Sequence, residues 1–224
     1  MKKKTVAVWN SGILLTRLLD RLNEYSNQSI FKNKSVIELG CGAALSSIAV
    51  AKFGASSVFA TDANSEVLAL AQRNIERNNI SSSSSSVSIK TSTLQWGIMD
   101  ATEYDSSADI IIGSDLTYNS GSWVALSETM ATILKPTGIV IYLTLGHSGF
   151  NVGGELGGFL SVAENTGLRV LTKDMDEWKN NFGNIQSVNE LLATVVTPEE
   201  KTVIDTNGGA RVVILGRKKY GRKG

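Results

Sequence analysis

The chain has 224 residues, of which 42% are hydrophobic and 19% charged, with 22 basic against 21 acidic side chains and a formal net charge of +1. This is the make-up of an ordinary soluble domain large enough to bury a full core, which argues against a disordered chain and against a nucleic-acid binder held by charge. A single cysteine, Cys41, and a single histidine, His147, leave no disulfide framework and no metal site to expect, and they suit a reducing setting.

Met1-Lys2-Lys3-Lys4 is basic, but Trp9 to Gly12 interrupt the segment after it and Arg17 and Asp20 break the apolar stretch, so neither a secretory signal nor a membrane span is expected. Leu14, Leu15, Leu18, Leu19 and Leu22 recur at helical spacing, predicting an amphipathic helix over about 12–24 with Trp9 at its mouth, within an N-terminal segment 1–30. Ser35 to Leu39 reads as a strand stopped by glycines, and Leu45 to Phe53 as a small-residue helix ending at Gly54. Ser57 to Thr61 repeats the strand signal, and past Asp62 the residues Val67, Leu68, Ala71 and Ile75 share one helical face.

The serine run 81–86 predicts a surface loop. Val87 to Thr91, Asp109 to Ile112 and Ile139 to Leu143 are further strands. The last two are separated by a helix carrying Trp123, Leu126, Met130, Ile133 and Leu134, which Lys135-Pro136-Thr137-Gly138 cuts off. A helix around Leu156, Phe159, Leu160 and Ala163 leads to a strand at 168–171, and Val212 to Leu215 is the last strand. Residues 174–207 stay unassigned, a substrate-side insertion being one reading of them, and the basic stretch 217–224 reads as a solvated tail. Strands alternating with helices predict one doubly wound α/β domain over 1–224, with a mainly parallel sheet and ligands at the carboxyl ends of its strands.

The sharpest local signal is Val36-Ile37-Glu38-Leu39-Gly40-Cys41-Gly42, an apolar strand ending in an acid, with two glycines that let the backbone approach a ligand closely. A dinucleotide fingerprint would place a third glycine where Leu45 stands, which disfavours NAD. Asp62, closing the second strand, is placed for a carboxylate to accept both hydroxyls of a ribose, its structural alternative being a cap on the next helix.

Glu38-Leu39-Gly40-Cys41-Gly42 together with Asp62 resembles motifs I and II of class I, seven-strand S-adenosylmethionine-dependent methyltransferases, with Ala44 in place of a common third glycine. Val8-Trp9, Leu94-Gln95-Trp96-Gly97 and Ile112-Gly113-Ser114-Asp115-Leu116-Thr117-Tyr118 extend the likeness, over roughly residues 6 to 146, to the protein-lysine N-methyltransferases grouped as methyltransferase family 16. The resemblance implies a seven-stranded Rossmann-like fold and S-adenosyl-L-methionine as cofactor. It places Trp9, Glu38, Gly40, Cys41, Gly42, Asp62, Trp96 and Ser114 around the cofactor, and Asp115 and Tyr118 beside the methyl donor and the entering lysine. It also implies a protein acceptor and a monomer as default, while composition, charge and the single cysteine point to a cytoplasmic setting, the nucleus being a further one, with no nucleic-acid or membrane partner. The signature lacks the Asn-Pro-Pro-Tyr type sequence that goes with exocyclic amines and glutamine amides.

Cys41, the sole thiol, reads as a bystander in the cofactor turn. Trp96 read structurally would be a core aromatic and Asp115 to Tyr118 a strand-end turn, while His147, at the lip after the fifth strand, reads as a solvent-exposed structural residue or, as the alternative, as one that touches substrate or helps to move a proton. From the residues, two alternatives stay open beside lysine methylation: a small-molecule or other nitrogen acceptor, and a protein that holds S-adenosylmethionine without turnover.

Overall fold

The strands at the centre of the chain alternate between two apolar faces, which is why they read as nearly continuous hydrophobic runs. Ile110, Ile139, Ile141, Leu143, Val212 and Ile214 point to one core, whereas Ile111, Val140, Tyr142, Val213 and Leu215 point to another. A strand buried on both faces needs helices on both, and the computed structural model, which describes residues 9–78, 87–146, 152–171, 188–206 and 209–218, supplies them.

In chain order the elements are α1 (Asn10–Tyr25), β1 (Ser35–Leu39), α2 (Leu45–Lys52), β2 (Ser57–Asp62), α3 (Ser65–Arg77), β3 (Ser88–Thr93), α4 (Ile98–Ala101), β4 (Ala108–Ser114), α5 (Trp123–Ile133), β5 (Leu134–Leu145), α6 (Val152–Asn165), β6 (Leu168–Val170), α7 (Val188–Val195), α8 (Pro198–Thr206) and β7 (Ala210–Arg217). The sheet order is β3-β2-β1-β4-β5-β7-β6, with β7 antiparallel to both neighbours and the other pairings parallel. Leucines of α1 join side chains of α2, α3 and α7 in one core, and α5 and α6 fill the other. The chain winds outward from β1 to β3 and then reverses to β4 and β5, so the switch point lies between β1 and β4, where Leu39 stands opposite Gly113.

Each strand and helix expected from the sequence is present, with ends shifted by a few residues. The serine run 81–86, His147, and the tail beyond 218 lie outside the described residues. Two differences are informative. Lys135 to Gly138 do not break the chain between α5 and the next strand; they form the start of β5, which begins at Leu134. Pro136 is tolerated there because it is exposed, and the register shifts beside it, between Ala108 and Ile110. Gly138 is required for close approach, since a Cβ on it would stand 2.9 Å from the carbonyl oxygens of both Ala108 and Asp109. Within the unassigned stretch, α7 packs on α1 and β7, and α8 is tied to α1 by Arg17, which bonds both carboxylate oxygens of Glu200 at 3.0 and 2.9 Å.

Gly138→Ala is expected to lower unfolding stability by about 1–3 kcal/mol, because the new methyl meets, besides the Leu134 side chain, two backbone oxygens that cannot yield. A urea titration checks this as a lower midpoint at unchanged slope.

Candidate active site

At the switch point the carboxyl ends of β1 to β4 surround a cleft of about 770 Å³, roofed by the start of α1. The loop after β1 is its floor. Gly40, Gly42 and Ala44 all hold positive φ, at 61°, 53° and 61°, so the backbone doubles back before α2. A Cβ on Gly42 would meet nothing within 4 Å, which means the space it leaves is cleft. Ala44 takes the left-handed conformation that a third glycine would take.

Three neighbours hold this floor. Cys41 N–H donates to the carbonyl of Thr61, Asn74 Nδ2 donates to the carbonyl of Ala43, and Glu38 reaches under the loop to α2. The buried Glu38 carboxylate accepts the Ser47 backbone N–H at 2.9 Å and the Ser47 hydroxyl, so it caps α2 from a strand. Burial outweighs these bonds and raises its pKa to about 7. Burial, and next Glu38 and Asp62, push the Cys41 thiol up as well, so it stays protonated and is no nucleophile.

Asp62 is fixed by backbone donors on both sides: Gly42 N–H at 3.3 Å and Asn64 N–H at 3.0 Å. The cap on α3 is Asn64, which accepts from Glu66 and Val67, so Asp62 is not spent as a helix cap. Trp96 is half-buried: it packs against the second core and lines the cleft, so the two readings of this residue describe two faces of one ring. Trp9, 75% exposed, caps α1 at the mouth.

The opposite wall is the turn after β4. Asp115 holds φ 59°, donates its N–H to Leu143 at 2.8 Å and accepts Leu145 N–H at 3.3 Å. Leu116 is wedged between strand ends, as a Cβ on Gly40 or Gly113 would stand 2.7 or 2.8 Å from its methyls. The buried Tyr142 oxygen accepts the N–H groups of both Leu116 and Thr117, at 3.0 and 3.1 Å. Its own proton then goes to Thr117 Oγ1, which donates to Glu155 at 2.8 Å. Burial raises the Tyr142 hydroxyl to about 12, so this proton is retained. Tyr118 stands 70% exposed on the lip.

All ten residues that sequence reasoning placed at the site line this one cleft: Trp9, Glu38, Gly40, Cys41, Gly42, Asp62, Trp96, Ser114, Asp115 and Tyr118. It missed Ser11 and Ser46, both buried and lining the cleft, and the brace made by Tyr142 and Glu155. The signal for the brace was a phenol in an otherwise aliphatic strand. His147 lies outside the described residues.

A family profile described as lysine methyltransferase matches residues 2–148, more than half of the chain. The chain belongs to the lysine methyltransferase family, whose methyl donor is S-adenosylmethionine. Among relatives of this lysine methyltransferase, a protein N-terminal and lysine N-methyltransferase of Candida glabrata is 26% identical over 194 residues, covering 84% of this chain and 73% of its own length. A calmodulin-lysine N-methyltransferase of Arabidopsis thaliana is 35% identical over 106 residues, 47% of this chain and 34% of the plant protein. Among solved structures, a TehB-like methyltransferase from Corynebacterium glutamicum superposes with a TM-score of 0.55 at 14% identity, covering 92% of this chain and 88% of that one. At that identity the likeness speaks for the fold.

These bonds can be probed one at a time. The Glu38 carboxyl titrates above its unfolded value of 4.5, so between about pH 4.5 and 7 the folded protein holds a proton that the unfolded chain has released. Stability therefore falls as pH rises through that window, by on the order of 3 kcal/mol. Urea melts at pH 5 and pH 8 should show wild type losing ground to Glu38→Gln, which keeps an acceptor for Ser47 without a charge. Tyr142→Phe strips the acceptor from two buried N–H groups, costing about 1–3 kcal/mol in denaturant melts. It should also lower kcat while leaving donor affinity largely unchanged.

Proposed function

We propose that this lysine methyltransferase acts on the ε-amine of a lysine in a protein substrate, with the donor held by the floor and the acceptor received at the Asp115–Tyr118 turn. The observation that carries this reading is the convergence of both sets of residues on one cleft lined by the carboxyl groups of Glu38, Asp62 and Asp115 and, among the described residues, by no lysine, arginine or histidine. Such a lining suits a sulfonium donor and an ammonium acceptor and repels phosphate.

The residues fit the donor. The glycine floor leaves room for an extended ligand, Asp62 offers a carboxylate at the ribose position, and Trp96 offers a ring face for the adenine, with Trp9, Cys41 and Ser114 completing the enclosure. Bound there, S-adenosylmethionine supplies an activated methyl on its sulfur. The protein has then to align an amine with it, and positioning of this kind is worth roughly 7–11 kcal/mol. Releasing the proton from lysine Nζ costs on the order of 4–5 kcal/mol at neutral pH. The apolar side chains of Leu116 and Ala125 disfavour the charged ammonium, the Asp115 carboxylate orients the nitrogen, and Tyr118 walls the entrance.

A single methyltransferase domain acting as a monomer in the cytoplasm or nucleus is the setting we assign, by the resemblance to the family; a sequence with one cysteine, and hence no internal disulfide, suits a reducing compartment. Among the described residues no helix is long and apolar enough to cross a membrane.

A tritium-transfer assay with labelled donor and cell extract tests the reading. Wild type should label a protein band that mass spectrometry maps to lysine. Asp62→Ala should weaken donor binding by about 1.5–3 kcal/mol, and Asp115→Ala should keep donor binding while lowering kcat roughly tenfold or more. Tight donor binding with no labelled protein would redirect the assignment to a small-molecule acceptor or to a protein without turnover.

A further inference from the structure

Residues 91–134, from the end of β3 to the start of β5, contain no lysine, arginine or histidine; all 22 basic residues lie elsewhere in the chain. The same segment carries Asp100, Glu103, Asp105, Asp109, Asp115 and Glu128. Asp109 pairs with Lys135 at 2.9 Å near the start of β4, and Asp105 precedes that strand, so these two belong to the opposite end of the sheet. The other four lie at the cleft or in the segments that follow its lining residues. Asp115 lines it, Asp100 accepts the N–H of the cleft residue Gln95 at 3.2 Å, Glu103 comes just after α4, and Glu128 lies one turn beyond Val124 on α5, which packs against α4.

Exposed apolar side chains gather at the same place. Ile98, Met99, Tyr118 and Val124 are 51%, 86%, 70% and 52% exposed. Tyr118 lines the cleft, Val124 lies between the lining residues Ser122 and Ala125, and Ile98 and Met99 come just after the lining residue Trp96. Among the described residues, every exposed large apolar side chain except Tyr25 either lines the cleft or lies within three residues of one that does. Solvent-facing apolar groups clustered at the rim of a site mark an interaction surface.

We propose that this rim docks the stretch of a protein substrate on either side of the acceptor lysine, and that it selects stretches carrying further basic residues together with a large apolar side chain. The inference rests on the protein-lysine reading of the cleft. The carboxylates of this segment attract a basic peptide and speed its encounter, a contribution that salt screens. Met99, unbranched and polarisable, adapts to more than one apolar partner. The same carboxylates turn away acidic segments and phosphate backbones.

The test uses fluorescein-labelled synthetic peptides with one central lysine in a glycine-serine background, flanked by arginine or glutamate and carrying leucine or serine nearby. With the full chain and S-adenosylhomocysteine present, anisotropy should show the arginine-leucine peptide binding roughly tenfold tighter than the glutamate-serine peptide, a gap that sodium chloride narrows. The double variant Glu103→Lys/Glu128→Lys should abolish the arginine preference and Met99→Ser should weaken the leucine preference, with S-adenosylhomocysteine affinity unchanged in each. Equal binding of arginine- and glutamate-flanked peptides, or a preference that survives the charge reversals, overturns the proposal. Methyl transfer to the same peptides is read in parallel. Selective binding without transfer supports the docking rim and removes the lysine reading, whereas transfer indifferent to the flanks does the reverse.

Discussion

The clamp of the Glu38 carboxylate on Ser47 is the contact on which the donor side of this molecule depends. It joins the end of a strand to the first turn of a helix, and so ties both ends of a loop in which Gly40, Gly42 and Ala44 take left-handed backbone. An ionised carboxylate in that position would be costly to bury without the helix amides. With them it is tolerated, and its residual cost appears as a carboxyl that holds its proton near neutrality. The same acid helps to keep the adjacent thiol silent. An acid buried for architecture thereby also shapes the electrostatics of the cleft.

The acceptor side is held by different means. Its turn, from Asp115 to Tyr118, hangs on a neutral phenol that accepts two backbone N–H groups and passes its own proton along to a threonine and a glutamate. Leu116 fits against two glycines, Gly40 and Gly113, that belong to different strands, so the two halves of the site share one packing contact. Movement of either wall is felt at the other, because there is no spare volume at that point.

The order of strands and helices was legible because both periodicities were strong: leucines at helical spacing in α1, β-branched runs in β1, β4 and β5. The ten expected site residues came together because strand ends on one edge of a parallel sheet are neighbours wherever they stand in sequence. What stayed hidden depends on tertiary geometry. The partnership of Glu38 with Ser47 exists only once the glycine turn has folded, and the phenol of Tyr142 finds its donors across a strand. Pro136 and Gly138 looked like punctuation because their local chemistry is that of a turn. In the structure the glycine serves a close approach of two strands instead. The helices of 188–206 are short, and their packing on α1 could not be read from their own sequence.

The sheet order also has a consequence for synthesis. β5 carries the phenol and the two residues that tether Asp115, and its second neighbour is β7, encoded well downstream of the residues that line the cleft. As the chain leaves the ribosome, the donor cradle can assemble from residues already made, while β5 remains an edge strand that is apolar on both faces. Until residues 210–217 arrive to pair with it, the strand that braces the acceptor wall has one open edge, so that wall waits on the strand made last.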